Sequence, residues 1–280
     1  MPELPEVEVV KRGLEVLTKD RPQLLRIELR RPDLRDPMPA TALQSWQGAR
    51  FIQAERRAKY LLLGLAHDGA NVTGGLLSHL GMSGTWRLEQ SAENCDRIHD
   101  HVLLHFSNNQ IMVYNDPRRF GVLDVWNLHT LHSHARLAHL GPEPWDPEFT
   151  PEVLFAKSRK SRTPAKVFLM DQGLVVGVGN IYASEAFFQA KVRPQRQAGR
   201  LRKEDCLQLH LAVLKVLESA IQAGGSSLKD FYSFGGLKGG FQDSHFVYDR
   251  AGELCRICNT TVRQIVLGGR SSFYCPKCQV

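Results

Sequence analysis

The chain has 280 residues, with 36 Lys+Arg against 29 Asp+Glu and a formal net charge of +7. Such a length points to two or three domains. With 42% hydrophobic and 23% charged residues and a mean hydropathy of −0.27, disorder and a multi-span membrane protein are excluded. No stretch approaches the ~18–20 uninterrupted apolar residues of a spanning helix. The acidic start, Met1-Pro-Glu-Leu-Pro-Glu, lacks the basic and then apolar character of a secretory signal, so the expected location is the cytoplasm. An isoelectric point near 9.2 suits a polyanionic partner but does not identify one.

In chain order, Val7, Val10, Leu14 and Leu17 recur at helical spacing behind Pro5, which predicts a helix over 5–18. Short β-like runs follow. Leu25, Ile27 and Leu29 alternate, and Tyr60 to Leu65, His101 to Phe106, Ile111 to Tyr114 and Val122 to Trp126 are separated by turn residues. They predict an antiparallel β-sandwich domain over 1–130. Histidines and prolines make 131–151 read as a linker. The pattern then turns helical over Glu152 to Lys160, Ala165 to Met170, Ile181 to Ala190 and Lys203 to Ala223, the last with Leu209, Val213, Val216, Leu217 and Ile221 on one face. Gly224-Gly225 ends that helix, and the glycine-rich 234–241 reads as a loop. The helical domain is taken as 152–240 and a cysteine-bearing module as 247–280.

Cys255-Arg-Ile-Cys258 and Cys275-Pro-Lys-Cys278, 16 residues apart, have the spacing of a four-thiolate zinc site with no position open for water. One structural zinc ion is expected. Between the pairs, Val262 to Leu267 and Ser271 to Tyr274 read as a β-hairpin with Arg270 at or beside its tip, where the metal would fix the direction of a phosphate-binding guanidinium.

Once its methionine is removed, the chain begins with Pro2, a secondary amine. An α-amino group has a pKa of about 7.7–8.0, so part of it is nucleophilic at neutral pH. Attack on a sugar C1′ gives an iminium that draws electrons from adjacent C–H bonds, and Glu3 is placed to act as acid and base.

Met1-Pro-Glu-Leu-Pro-Glu-Val-Glu at one end and Arg270-Ser-Ser-Phe-Tyr-Cys275 at the other resemble formamidopyrimidine-DNA glycosylase. So do Arg57-Ala-Lys59-Tyr60-Leu, His79-Leu-Gly-Met82-Ser-Gly, Asp116-Pro-Arg118-Arg119-Phe120-Gly, Gly141-Pro-Glu-Pro and Gly177-Val-Gly179-Asn180-Ile-Tyr, in family order. The resemblance implies an α+β multidomain protein: an N-terminal antiparallel β-sandwich with a leading helix, a helix-two-turns-helix domain and a zinc-finger hairpin. It further implies a bifunctional glycosylase and abasic-site lyase acting on double-stranded DNA with oxidised purines. Pro2 would be the nucleophile, Glu3 the acid/base, and Lys59 and Arg270 catalytic-site cations toward the reacting nucleotide's phosphates. Met82, Arg118 and Phe120 would fill the hole left by the flipped nucleotide. Asn180, Lys166, Tyr248 and His99 would contact DNA, and 229–241 would cover the flipped base. A monomer is expected.

Asn180 also reads as a helix N-cap, whose backbone amides suit an anion. Gly177-Val-Gly179 lacks the third glycine of a dinucleotide fingerprint, so no nucleotide cofactor is expected. Alternation puts His99, His101 and His105 on one strand face, yet the thiolate site already accounts for the metal. The related endonuclease VIII type is disfavoured by Leu4 and by the complete Met82, Arg118, Phe120 set. A catalytically silent DNA-binding protein would have no need of Pro2 and Glu3.

Overall fold

The computed structural model describes residues 2–69, 71–226 and 239–280. They form two compact units, Met1–Ala138 with Gly224–Gly240 and His139–Ala223 with Phe241–Val280. Most of the loop expected to cover a flipped base, 229–241, lies outside the described residues.

In the first unit, α1 (Leu4–Thr18) buries Val7, Val10, Leu14 and Leu17, the stripe its periodicity predicts. Two four-stranded antiparallel sheets follow. One has the order β1 (Leu24–Leu29), β6 (Asp100–Phe106), β7 (Ile111–Asn115), β5 (Thr85–Glu89). The other runs β2 (Arg50–Arg57), β3 (Tyr60–Ala66), β4 (Gly74–His79), β8 (Val122–Asn127), and a short helix α2 (Ala40–Gln44) precedes β2. Ile27, Val102 and Met112 of the first sheet join Phe51, Leu63 and Leu76 of the second and Val10 of α1 in one buried cluster, so the sheets form a sandwich. Each leucine so buried contributes about 1.5–3 kcal/mol. α1 packs on β2, where Glu8 accepts from Arg56 Nε at 3.0 Å.

Two sequence expectations need correction. A bulge between Leu24 and Arg26 turns Leu24 inward and leaves Leu25 54% exposed, so the alternation of Leu25 with Ile27 and Leu29 does not define a face. His99 precedes β6 with φ +77°, outside the strand that carries His101 and His105, although its ring centroid lies 6.0 Å from that of His101. Strands β2, β4 and β5 carry no clean apolar run. β4 even opens on Gly74-Gly75, where a Cβ would collide with the Trp126 and Leu63 carbonyl oxygens.

Within 131–151 the chain passes from the first unit to the second, and Gly141 N–H already donates to the Gln172 carbonyl at 2.8 Å. The second unit contains α3 (Pro151–Ser158), α4 (Ala165–Leu169), α5 (Asn180–Gln189) and α6 (Lys203–Gln222), within two residues of expectation at nearly every end. α6 buries Leu209, Val213, Val216 and Leu217 and packs against α3 and α5. β9 (Arg263–Leu267) and β10 (Arg270–Tyr274) form the expected hairpin around Gly268 and Gly269, with φ of +55° and +74°. Its core is shared with α5, because Phe188 clusters with Val247, Val262 and Phe273.

Candidate nucleic-acid site and metal centre

Pro2 and Glu3 are buried at the start of α1, and Glu3 N–H donates to Glu6 Oε2 at 2.8 Å. Glu6 Oε1 accepts from Ser226 N–H at 2.7 Å. A chain end commonly frays, but this one is held by a buried carboxylate. Lys59 completes the two-residue turn between β2 and β3 after Ala58 (φ +54°) and is 8% exposed.

Beside this turn stands His79, facing Tyr60 in the β3–β4 ladder with their ring centroids 4.8 Å apart. Burial, then the charges of Lys59, Arg35 and Arg136, push its pKa down to about 4. It is therefore neutral at physiological pH, and its Nδ1 lies 3.0 Å from Gly81 N–H, which makes Nδ1 the acceptor. Sequence reasoning included His79 in a motif without giving it a role; its place three residues before Met82 was the available signal.

Met82 and Phe120 are 36% and 44% exposed, unusual for large apolar side chains beside a well-packed core. Arg118 stands over the Phe120 ring at 5.1 Å, a cation–π contact. Their two loops are adjacent: a Cβ on Gly81 would lie 2.3 Å from the Phe120 carbonyl carbon.

In the second unit, Asn180 is the first residue of α5 and Gly179 the N-cap, which corrects the N-cap reading of Asn180. The Asn180 amide is engaged elsewhere. Its Oδ1 accepts from Lys166 Nζ at 2.6 Å and its Nδ2 donates to the Ser271 carbonyl at 2.8 Å. Lys166, 1% exposed, also donates to Ser272 Oγ at 2.9 Å. Together they join α4, α5 and β10. Beside them lies a cleft of about 640 Å³ lined by Lys157, Lys160, Ser161, Thr163 and Arg270, with Arg270 exposed at the start of β10. Cations and hydroxyls on an open wall suit phosphate oxygens.

Tyr248 packs its ring 5.1 Å from Phe273 and 5.5 Å from His245. Its N–H, with those of Phe246 and Val247, donates to the buried Glu185 carboxylate of α5 at 2.9–3.0 Å. Burial raises the Glu185 pKa against these hydrogen bonds. Nothing in the sequence pattern had separated Glu185 from the apolar face of α5.

The sulfurs of Cys255, Cys258, Cys275 and Cys278 all lie within 4.8 Å of one another, with Cys258 to Cys275 at 3.4 Å and Cys255 to Cys278 at 3.9 Å. Tetrahedral zinc with Zn–S of about 2.3 Å requires sulfur separations of about 3.8 Å. The set fits one closed, structural zinc ion.

Three family models divide the chain: the formamidopyrimidine-DNA glycosylase N-terminal domain over residues 1–123, its H2TH domain over 140–232, and the zinc finger found in FPG and IleRS over 252–280. Fold and site thus define a DNA glycosylase with a zinc finger. The chain is 48% identical over 279 residues to the formamidopyrimidine-DNA glycosylase of Bdellovibrio bacteriovorus and 44% identical to that of Pseudomonas aeruginosa, with all of each chain covered. It is similar to the MutM (Fpg) protein from Thermus thermophilus, at TM-score 0.86 and 37% identity over 99% of this chain and 98% of that one. It is also similar to the Lactococcus lactis Fpg solved with DNA containing an abasic site, at TM-score 0.88 and 31% identity over 99% of both chains. The chain belongs to the formamidopyrimidine-DNA glycosylase family.

Proposed function

We propose that this protein removes oxidised purines, 8-oxoguanine and formamidopyrimidines among them, from double-stranded DNA and then cleaves the strand at the abasic site. It acts as a monomer in the cytoplasm. The observation that carries the reading is the chain start, where Pro2 and Glu3 are buried and held by Glu6 instead of frayed. After loss of Met1, the Pro2 amine attacks C1′ as the C1′–N bond to the base breaks, and the base leaves with a proton. The C1′–O4′ bond then breaks with a proton delivered to O4′, which gives an iminium that acidifies the C2′ hydrogen; β-elimination expels the 3′ phosphate and δ-elimination the 5′ phosphate, leaving a single-nucleotide gap. Glu3 moves protons at the sugar as its ring opens.

Lys59 steadies the phosphate beside the reacting nucleotide, and Asn180 and Arg270 bind backbone phosphates from the α5 start and the hairpin. Buried Lys166 acts by holding Asn180 against β10. His99 and Tyr248 contact the backbone. Met82 and Phe120 fill the space of the flipped nucleotide while Arg118 hydrogen-bonds the unpaired partner base. The zinc ion supplies no chemistry; it fixes the hairpin and thereby Arg270.

Borohydride trapping on a duplex with 8-oxoguanine opposite cytosine tests the reaction. The expected result is a covalent adduct at Pro2 in protein whose N-terminus is shown by mass spectrometry to be Pro2. Tight binding without an adduct would indicate a silent damage-binding protein. Arg270→Ala tests the phosphate set: affinity should fall across DNA sequences, and the slope of log affinity against log salt should drop by about 1. An unchanged slope would remove Arg270 from that set.

A further inference from the structure

Four of the residues proposed to meet DNA from the first unit, Met82, His99, Arg118 and Phe120, sit on loops that converge on one buried residue. That residue is Asp116, 0% exposed, whose carboxylate ties three of them. Its Oδ1 accepts from Ser83 Oγ at 2.6 Å, directly beside Met82. Its Oδ2 accepts from Gly121 N–H at 2.8 Å, directly beside Phe120. Arg118 N–H lies between Ser83 Oγ at 3.2 Å and Asp116 Oδ1 at 3.3 Å. Through its backbone, Asp116 N–H donates to the His99 carbonyl at 3.1 Å, and its carbonyl lies 3.0 Å from His101 Nε2.

Packing around the carboxylate leaves no slack. A Cβ on Gly121 would lie 1.8 Å from Tyr114 Oη, and one on Gly84 would lie 2.2 Å from the same atom. The two glycine-flanked motifs are thus two halves of one device, and Asp116 and Ser83 close it. A loose loop would present Met82 or Phe120 to the stack in many orientations, and inserting either would cost the entropy of ordering it.

We propose that Asp116, bridged by Ser83, is a positioning residue that locks the Met82 loop to the Arg118–Phe120 loop, so that wedge and partner-base contact enter the helix as one preformed unit. This rests on the wedge reading of Met82, Arg118 and Phe120. Asp116 touches no reacting atom, so its loss should spare chemistry on a substrate that needs no base eversion.

The test compares Asp116→Asn, Ser83→Ala, Met82→Ala and Phe120→Ala in the full-length zinc-loaded protein. Three readouts are used: single-turnover excision of 8-oxoguanine from duplex, 2-aminopurine fluorescence beside the lesion, and borohydride trapping on a single-stranded abasic oligonucleotide. Asp116→Asn keeps the shape but sets an NH2 group against one of its donors. It should slow excision and the fluorescence rise by about tenfold or more, the scale of one charge-assisted hydrogen bond. Ser83→Ala, which removes only the bridge, should act in the same direction. Trapping on the single strand should stay within about twofold for both variants, at unchanged melting temperature for Ser83→Ala. Parental excision and fluorescence in both variants would overturn the proposal, as would equal loss of excision and trapping in Ser83→Ala. If Met82→Ala and Phe120→Ala leave the fluorescence rise unaltered, the wedge reading itself fails, and the lock with it. If those two slow the rise but Asp116→Asn and Ser83→Ala do not, the lock alone is wrong.

Discussion

Glu3→Gln is expected to slow base excision by roughly two to four orders of magnitude, the range that a positioned general acid/base supplies. Glutamine keeps the length and the hydrogen-bonding shape of the side chain but does not exchange a proton at neutral pH. The Glu3 N–H to Glu6 Oε2 bond at 2.8 Å is made by the backbone and survives the substitution, and a glutamine Oε1 can still accept from the Glu6 N–H that the Glu3 side chain caps. Cleavage of a pre-formed abasic site should therefore persist within several-fold, because the base is already gone and the Pro2 amine remains. Single-turnover rates on an 8-oxoguanine duplex and on an abasic duplex, measured side by side, decide the point. Equal loss of both activities would show that Glu3 serves the lyase step as much as excision.

Removal of zinc should have a comparable effect by a different route. Structural zinc contributes about 10–16 kcal/mol of apparent folding free energy to small finger modules at neutral pH. Cys275→Ser, or dialysis against a strong chelator, should release the one ion and unfold the β9–β10 hairpin. Loss of the hairpin takes away Arg270, and also Ser271 and Ser272, whose oxygens accept from Asn180 and Lys166. Binding to undamaged and damaged duplex should fall together by at least a hundredfold, while α1 and the sandwich of the first unit keep their β-rich circular dichroism. DNA affinity that survives complete metal loss would separate the finger from binding.

Legibility in the sequence followed the range of the interactions. The helices of the second unit were readable because each buries a stripe against neighbours at 3.6-residue spacing, as Leu209, Val213, Val216 and Leu217 do on α6. The thiolate centre was readable because four sulfurs of one chemistry at fixed spacing have few other uses. Strand faces were less so: one bulge after Leu24 inverted the assignment of Leu25. Least readable were acceptors serving donors far along the chain. Glu185 receives N–H groups 61 to 63 residues away, and Asp116 receives Ser83 from 33 residues before it. The partners of Glu185 are peptide groups, which any residue carries, and the partner of Asp116 is one serine hydroxyl among many, so no residue type marks either pairing. Asn180 shows the same effect from the other side, since its amide chose Lys166 and Ser271 over its own helix end.

The Glu6 carboxylate also sets an order of events during synthesis. It completes its bonding with Ser226 N–H, 220 residues later in the chain. At about 5–20 residues added per second, roughly ten to forty-five seconds separate the two partners at the ribosome. The sandwich of the first unit emerges in that interval, yet the buried Glu6 carboxylate waits for a segment made only after α6. The nascent chain thus completes the surroundings of Pro2 and Glu3 only after α6 has been made.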